Sequence, residues 1–362
     1  MLHDLATPSI EICAETFERN LRKLATYVKE HRLNLRPHSK THKSTFIGKK
    51  QMDAGAIGMT VAKAGEAAVM ADICDDILMA YPAVDAFRAG QLAKLADSKT
   101  VRVGIDSTLA ADVLGEAARN EGSTIGVLVD IDVGLHRTGV QTPEDALNLA
   151  QHVSRTKGLR LDGIMFYPGH VNLTMAKEGK VIREIEAKIG EAKELWRKKG
   201  LEAKIISGGS TPTAYFSHEF KNMTELRPGT YIYHDMNGVH GGFASIDDCA
   251  ARIVATVVST AVPGQFVIDA GSKTLTSDRC GPAPDSGHGY VVEYPQAKIV
   301  KLTEEHGQVD VRACPKTPKV GERVTIIPNH ICPCINLQDV VWWREKDQKA
   351  VPIDIQARGK VI

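Results

Sequence analysis

Four stretches of the chain combine residue types that could do chemistry. Residues 36–43 read Arg-Pro-His-Ser-Lys-Thr-His-Lys. Alternation along an extended segment puts Arg36, His38 and Lys40 on one face, with Lys40 where the segment meets a loop. Burying a lysine there lowers its pKa and makes its amine a nucleophile, as Schiff-base chemistry needs. Lys40 and its neighbour His38 are the candidate catalytic pair. A solvated strand-end lysine is the competing reading, and the basic, histidine-rich company on a segment expected to be apolar weighs against it. At 127–139, Val-Leu-Val-Asp-Ile-Asp-Val-Gly-Leu-His-Arg-Thr-Gly aims Asp130 and Asp132 inward. Gly134 permits a sharp exit, and Arg137 can reach an anionic oxygen; an Asp–Arg pair that only ties the loop is the alternative. Residues 206–213 (Ile-Ser-Gly-Gly-Ser-Thr-Pro-Thr) and 226–231 (Leu-Arg-Pro-Gly-Thr-Tyr) offer backbone N–H groups and hydroxyls to a phosphate. A lysine near one strand end and a phosphate cradle near two others suggest pyridoxal phosphate (PLP). Finally, 327–336 read Ile-Pro-Asn-His-Ile-Cys-Pro-Cys-Ile-Asn. His330 and Cys332, two apart on an extended segment, would share a face and suit zinc or a similar ion with open positions left over. A buried cysteine beside a satisfied histidine is the alternative there.

These groups need a scaffold that brings distant segments together. Apolar or β-branched runs at 34–40, 58–62, 76–81, 100–106, 124–132, 161–167, 203–209 and 225–233 alternate with helical periodicity. In 15–30, Phe17, Leu21, Leu24 and Val28 recur at helical steps. The longest helical stretch, 175–199, carries Val181, Ile182, Ile185, Ile189 and Leu195 on one side. Eight short strand–helix units predict a closed (β/α)8 TIM-type barrel, with an open doubly wound sheet as the alternative. After about Gly238 the helices stop. Strands are expected at 252–261, 265–270, 289–294, 298–302, 309–311, 323–327, 340–344 and 354–357, forming a mainly antiparallel β-domain that 9–12 could join. The expected division is 13–238 for the barrel, and 1–12 plus 239–362 for a β-domain carrying the metal pair.

Composition narrows the partners. Lys+Arg 45 against Asp+Glu 44 leaves a formal charge of +1, which removes the electrostatic case for a nucleic-acid or acidic-membrane partner. No apolar run approaches the roughly 20 residues that cross a bilayer, and the first residues lack the pattern of a signal peptide. Seven scattered cysteines without a C-x-x-C pair read as reduced thiols of a cytoplasmic enzyme.

Taken in order, Arg-Pro-His-Ser-Lys-Thr-His-Lys, Asp-x-Asp-x-Gly-x-x-Arg-x-Gly, Tyr-x-Gly-His, Ser-Gly-Gly-Ser-Thr-Pro-Thr, Arg-Pro-Gly-Thr-Tyr and His-x-Cys-Pro make the chain resemble a known family. It is similar to the D-threonine aldolase / D-serine dehydratase family, with its alanine-racemase-like fold, from about Thr7 to the last strand. The resemblance implies PLP and a divalent metal, zinc first and manganese or magnesium as alternatives. It implies that Lys40 is the Schiff-base lysine and that Arg137 approaches the PLP phenolic oxygen. Tyr167 and His170 then lie near the ring and mouth, and Ser210, Thr211, Gly229, Thr230 and Tyr231 on the phosphate side. Arg227 takes the place facing the pyridine nitrogen, and His330 and Cys332 are the metal pair. Aldolases of the family usually carry Asp at the second metal position and dehydratases Cys, so Cys332 leans toward dehydration. Pro168 and Cys334 belong to neither subgroup's pattern. The expected activity is a PLP- and metal-dependent lyase on a small D-3-hydroxy amino acid, by β-elimination to a 2-oxo acid and ammonia. Retro-aldol cleavage to glycine and an aldehyde, a metal-free PLP racemase and a non-catalytic PLP carrier are the alternatives. A homodimer is expected.

Overall fold

The computed structural model describes residues 5–362, and its contacts divide the chain into two compact units. The first four residues of the segment 1–12, assigned from sequence to the β-domain, lie outside the described residues. One unit consists of Lys23–Lys40, Ile47–Gly229 and Gly359–Ile362; the other of Thr41–Phe46, Thr230–Arg358 and the N-terminal segment up to Arg22. After β1 (Ser9–Cys13) come eight parallel strands of the first unit. They are β2 (Asn34–Leu35), β3 (Met59–Val61), β4 (Asp76–Met79), β5 (Thr100–Ile105), β6 (Ile125–Ile131), β7 (Leu159–Phe166), β8 (Ile205–Gly208) and β9 (Glu225–Leu226). Their order is β2-β9-β8-β7-β6-β5-β4-β3, and a parallel bridge between His38 and Thr60 joins the two ends of the series. The closed barrel therefore holds and the open sheet does not. All seven residues of β6 are buried, as expected of a parallel strand covered on both faces.

The helices start and stop where local chemistry dictates. Ser107 caps Thr108–Glu121, and Gly122 at φ 69° ends it. Thr142 caps Pro143–Arg155, with proline at the first position, where its missing N–H costs nothing. The single long helix expected at 175–199 is two, Leu173–Glu178 and Lys180–Lys198, because Gly179 turns left-handed at φ 70° between them. Ile182, Ile185, Ile189 and Trp196 form the buried face of the second.

A polar column occupies part of the barrel interior. Arg36 is 1% exposed and donates from Nε to both carboxylate oxygens of Glu225, at 3.0 and 3.1 Å, and from Nη1 to Asp76 at 2.6 Å. Ser207 donates its hydroxyl to Glu225 at 2.6 Å and accepts from Arg227 at 2.7 Å, while Arg227 also donates to the Phe166 carbonyl at 3.0 Å. Beyond Asp76 the chain of pairs runs through Arg102 to Asp162 and Arg160. Buried charges survive only when partnered in this way. This corrects one expectation: Arg36 turns to Glu225 and Asp76 and does not line the face shared by His38 and Lys40.

In the second unit the strands are β10 (Ala251–Ser259), β11 (Gln265–Ile268), β12 (Tyr290–Val291), β13 (Lys298–Leu302), β14 (Gly307–Asp310), β15 (Arg323–Ile327), β16 (Val340–Arg344) and β17 (Val351–Asp354). They run in the order β13-β14-β11-β10-β1-β16-β17, with β15 also on β10 and β12 on β15. All pairs are antiparallel except β1 with β16. Ile10 and Ile12 of β1 are fully buried, which explains why so short a segment holds its place beside β10. Among the described residues no disulfide forms, and no helix is long and apolar enough to cross a membrane.

Candidate active site

Strand β2 is only two residues long, although backbone N–H groups of Arg36 and His38 continue the ladder to the Leu226 and Pro228 carbonyls at 3.0 Å. Pro37 has no N–H to give, and Ser39–Thr41 then close a 3-10 turn. Lys40 lies on that turn and is exposed, so the expected burial of the lysine is corrected. Its neighbours Ser39, Thr41, His42 and Ser44 are fully buried. The Lys40 Nζ makes no hydrogen bond or ion pair among the described residues. Lys273, another lysine near a glycine turn, is held 2.8 Å from both Glu304 and Glu305.

Lys40 and His38 line a cavity of about 270 Å³ together with Arg137, Arg227, Tyr167 and Asp130. Three cationic side chains, Lys40, Arg137 and Arg227, line it with one carboxylate, so the cavity suits an anionic ligand. The Arg137 guanidinium sits over the Tyr167 ring, 4.9 Å from its centroid. Arg227 is almost fully buried, and desolvation pulls it down to about 10, against the opposing pull of Glu225 and Asp130. Burial pushes the Asp130 carboxyl up to about 6, although the Thr138 hydroxyl donates to it at 2.8 Å and Arg227 and Arg137 lie near. Asp132 has a different task. Despite desolvation, the backbone N–H groups of Gly134 and His136, each at 3.0 Å, hold it at about 2. With the His136 ring at 2.8 Å, Asp132 folds the exit loop of β6 and does not reach Arg137. Gly134, at φ 118°, admits the His170 ring: a Cβ there would lie 3.0 Å from His170 Nε2. Burial lowers the His170 pKa, and its Nδ1 has no hydrogen-bond partner among the described residues.

The two glycine loops place their residues in different ways. Ser210 is buried, with its backbone N–H and its hydroxyl 3.1 and 3.0 Å from Thr213 Oγ1, and Gly209 before it is left-handed at φ 81°. Ser210, Thr211 and Gly229 belong to the barrel unit and stand outside the lining of the cavity. Thr230 and Tyr231 open the second unit, where Thr230 Oγ1 lies 3.8 Å from Cys332 Sγ and Tyr231 is buried. For PLP, the fit rests on a lysine amine without a partner among the described residues, beside a cavity lined by one buried guanidinium, Arg227, and one exposed, Arg137.

In the second unit His330 and Cys332 come together, but not on an extended segment. His330 is the extended residue before the helix Ile331–Asn336, and Cys332 lies in that helix's first turn. The buried Asp235 carboxylate accepts the Ile331 N–H at 3.1 Å, which anchors this turn. Against desolvation, the hydrogen bond and charge of Cys332 bring His330 up to about 9, and His330 with Thr41 holds the Cys332 thiol low. Thr41 Oγ1 is 3.3 Å from Cys332 Sγ. His330 Nδ1 is taken by Asp278 Oδ2 at 2.9 Å, which leaves Nε2 for another partner. An imidazole oriented by a carboxylate beside an acidified thiol is a donor set that fits a divalent ion. No cluster of three or more such ligands occurs among the described residues, so the other positions would belong to water or substrate. Cys334, two residues on, is fully buried and bonds the Leu275 and His330 carbonyls. Sequence reasoning missed Asp278 and Thr41, which lie 52 and 291 residues from the side chains they hold and share no local pattern with them.

Comparison with known proteins finds two family domains in succession. Residues 12–237 match the alanine racemase N-terminal domain, and residues 250–343 the serine dehydratase domain. D-threonine aldolase of Arthrobacter sp is 31% identical over 92% of this chain and 87% of its own. D-threo-3-hydroxyaspartate dehydratase of Delftia sp. (strain HT23) is 31% identical over 91% of each chain. Among solved structures, a cysteine-to-alanine variant of a D-threo-3-hydroxyaspartate dehydratase, in the metal-free form, superposes with a TM-score of 0.89 at 26% identity, covering 98% of both chains.

Proposed function

We propose, for a chain that belongs to the alanine racemase N-terminal domain family and to the D-threonine aldolase-like lyases within it, that it is a PLP- and divalent-metal-dependent lyase acting on D-3-hydroxy amino acids. The favoured reaction is β-elimination to a 2-oxo acid and ammonia. The observation that carries the reading is Lys40, whose Nζ has no partner among the described residues, in a cavity lined by Arg137 and Arg227; the His330–Cys332 donor set of the second unit supports it separately.

PLP, bound through the Lys40 amine, supplies a sink for electrons released at Cα. A divalent ion on His330 and Cys332 supplies charge stabilisation for a departing or ionising β-oxygen. The remaining work falls to the protein's own side chains. The Lys40 amine would serve as the base for the α-proton, which it would pass to the departing hydroxide as water. Arg137, set over Tyr167, would neutralise an anionic ring oxygen, and Arg227 would be the charge toward the ring nitrogen. The family resemblance assigns Ser210, Thr211, Gly229, Thr230 and Tyr231 to the phosphate side, and the Lys40 N–H donates to His38 Nδ1 at 3.4 Å. Cys332, where the aldolase pattern has Asp, favours elimination, and a related dehydratase whose cysteine-to-alanine variant has a metal-free form is in keeping with a metal in this family.

Incubation with D-serine, D-threonine and D-threo-3-hydroxyaspartate, with and without chelator, tests the proposal. Ammonia and a 2-oxo acid, lost with chelator, are expected. Glycine plus an aldehyde would transfer the chain to retro-aldol cleavage. Chelator-insensitive interconversion of enantiomers would make it a racemase.

A further inference from the structure

The geometry points to Asp278 as the positioning residue that aims the His330 ring at the metal, held in place by a clasp that nothing in the reaction itself requires. This rests on the metal-dependent lyase reading and deepens it. Asp278 Oδ2 accepts from His330 Nδ1 at 2.9 Å, which orients the ring and leaves Nε2, the nitrogen available to the Cys332 thiol, as the atom a metal would take. The clasp is reciprocal. Asn329, next to His330 and 2% exposed, donates its side-chain amide to the Asp278 carbonyl at 3.0 Å and to the Gly287 carbonyl at 2.9 Å. The same loop is tied a third time, where the Gly281 N–H reaches Asn237 Oδ1 at 2.9 Å.

The backbone entering this loop is strained. Thr276 is β-branched and buried, yet it adopts φ 62° and ψ 174°, a region that side chains with a Cβ avoid. Its hydroxyl accepts the Asp278 N–H at 3.3 Å, and its own N–H is bonded to the Ser272 carbonyl at 3.0 Å. Strain of this kind persists only where surrounding contacts impose it, and here it directs the chain so that Asp278 meets the ring. The Asp278 and His330 side chains are 46% and 40% exposed, so their pair contributes little to folding. A positioning role can therefore be separated from a structural one.

The experiment uses full-length protein saturated with PLP, freed of metal and titrated with zinc against a chromophoric chelator. Asp278→Ala should weaken zinc binding by about 10- to 100-fold, with the visible absorbance of bound PLP and the urea midpoint unchanged. Asp278→Asn, whose amide oxygen still accepts from Nδ1–H, should recover most of the affinity. If Asp278→Ala binds zinc within about twofold of the parent while His330→Ala has lost it, the positioning role is refuted and the metal site stands. Equal losses in the Ala and Asn variants, or a lowered urea midpoint in both, would refute it as well. Zinc binding unchanged in His330→Ala would remove the metal site and this inference together.

Discussion

Asp130→Asn is the substitution whose effect can be worked most fully from the structure. Asp130 is 5% exposed, and burial lifts its carboxyl from 3.8 to about 6. An acid with a raised folded pKa keeps, in the native state, a proton that the unfolded chain has already lost. Stability is then lost as pH rises from about 4 through about 6, and the ionised form carries a cost of about 3 kcal/mol, from roughly 2.2 units at 1.36 kcal/mol each. About 2 kcal/mol of this falls between about pH 4.5 and 7.5. Asparagine resembles the protonated acid: it has no charge to desolvate, and its Oδ1 can still accept the Thr138 hydroxyl now 2.8 Å from Asp130. The variant should therefore gain on the parent by about 2 kcal/mol over that interval, read as the difference between urea unfolding curves of the two cofactor-free proteins. Subtraction removes every other titrating group that the two share. A difference that stays flat with pH, or falls, would show that Asp130 ionises like a solvated carboxyl and that the burial argument is wrong.

Other substitutions separate the parts of the site. Lys40→Ala incubated with PLP should lack the visible absorbance of bound cofactor, whereas Lys273→Ala, whose lysine is engaged by Glu304 and Glu305, should keep it. His330→Ala should retain that absorbance yet release ammonia at least roughly 100-fold more slowly, because a charge-stabilising ion is worth several kcal/mol; Cys332→Asp should retain zinc and move product toward glycine and aldehyde. Glu225→Ala takes from Arg36 its buried carboxylate and leaves it Asp76 alone, and urea unfolding should report a loss of up to about 3–5 kcal/mol.

The barrel was legible because its strands are short, apolar and β-branched, and their alternation with helices leaves few topologies. The family resemblance rested on motifs at Lys40, Arg137 and His330–Cys332, and relatives along nearly the whole chain agree with it. What failed to show was direction. Periodicity in 36–40 assumed an extended run, but Pro37 and the turn at Ser39–Thr41 break it, so Arg36 parts from Lys40. The same assumption at 330–332 missed a helix start whose anchor, Asp235, lies nearly a hundred residues earlier. Gly179 was visible in the sequence, yet a glycine within a strong helical pattern reads as tolerated until its backbone is seen to be left-handed.

The interior column from Arg36 through Glu225 and Ser207 to Arg227 also bears on how such a chain can change over generations. Each member satisfies a neighbour that is itself buried, so a single replacement leaves a charge or hydroxyl stranded, at a cost comparable to a large share of a domain's total stability. Exchange is tolerable only in concert. Positions 36, 207, 225 and 227 should therefore be inherited as one block, and a lineage that swaps any one of them for an apolar residue should carry matching replacements at the others. Sequence variation that treats these four as independent would be at odds with the contacts they make.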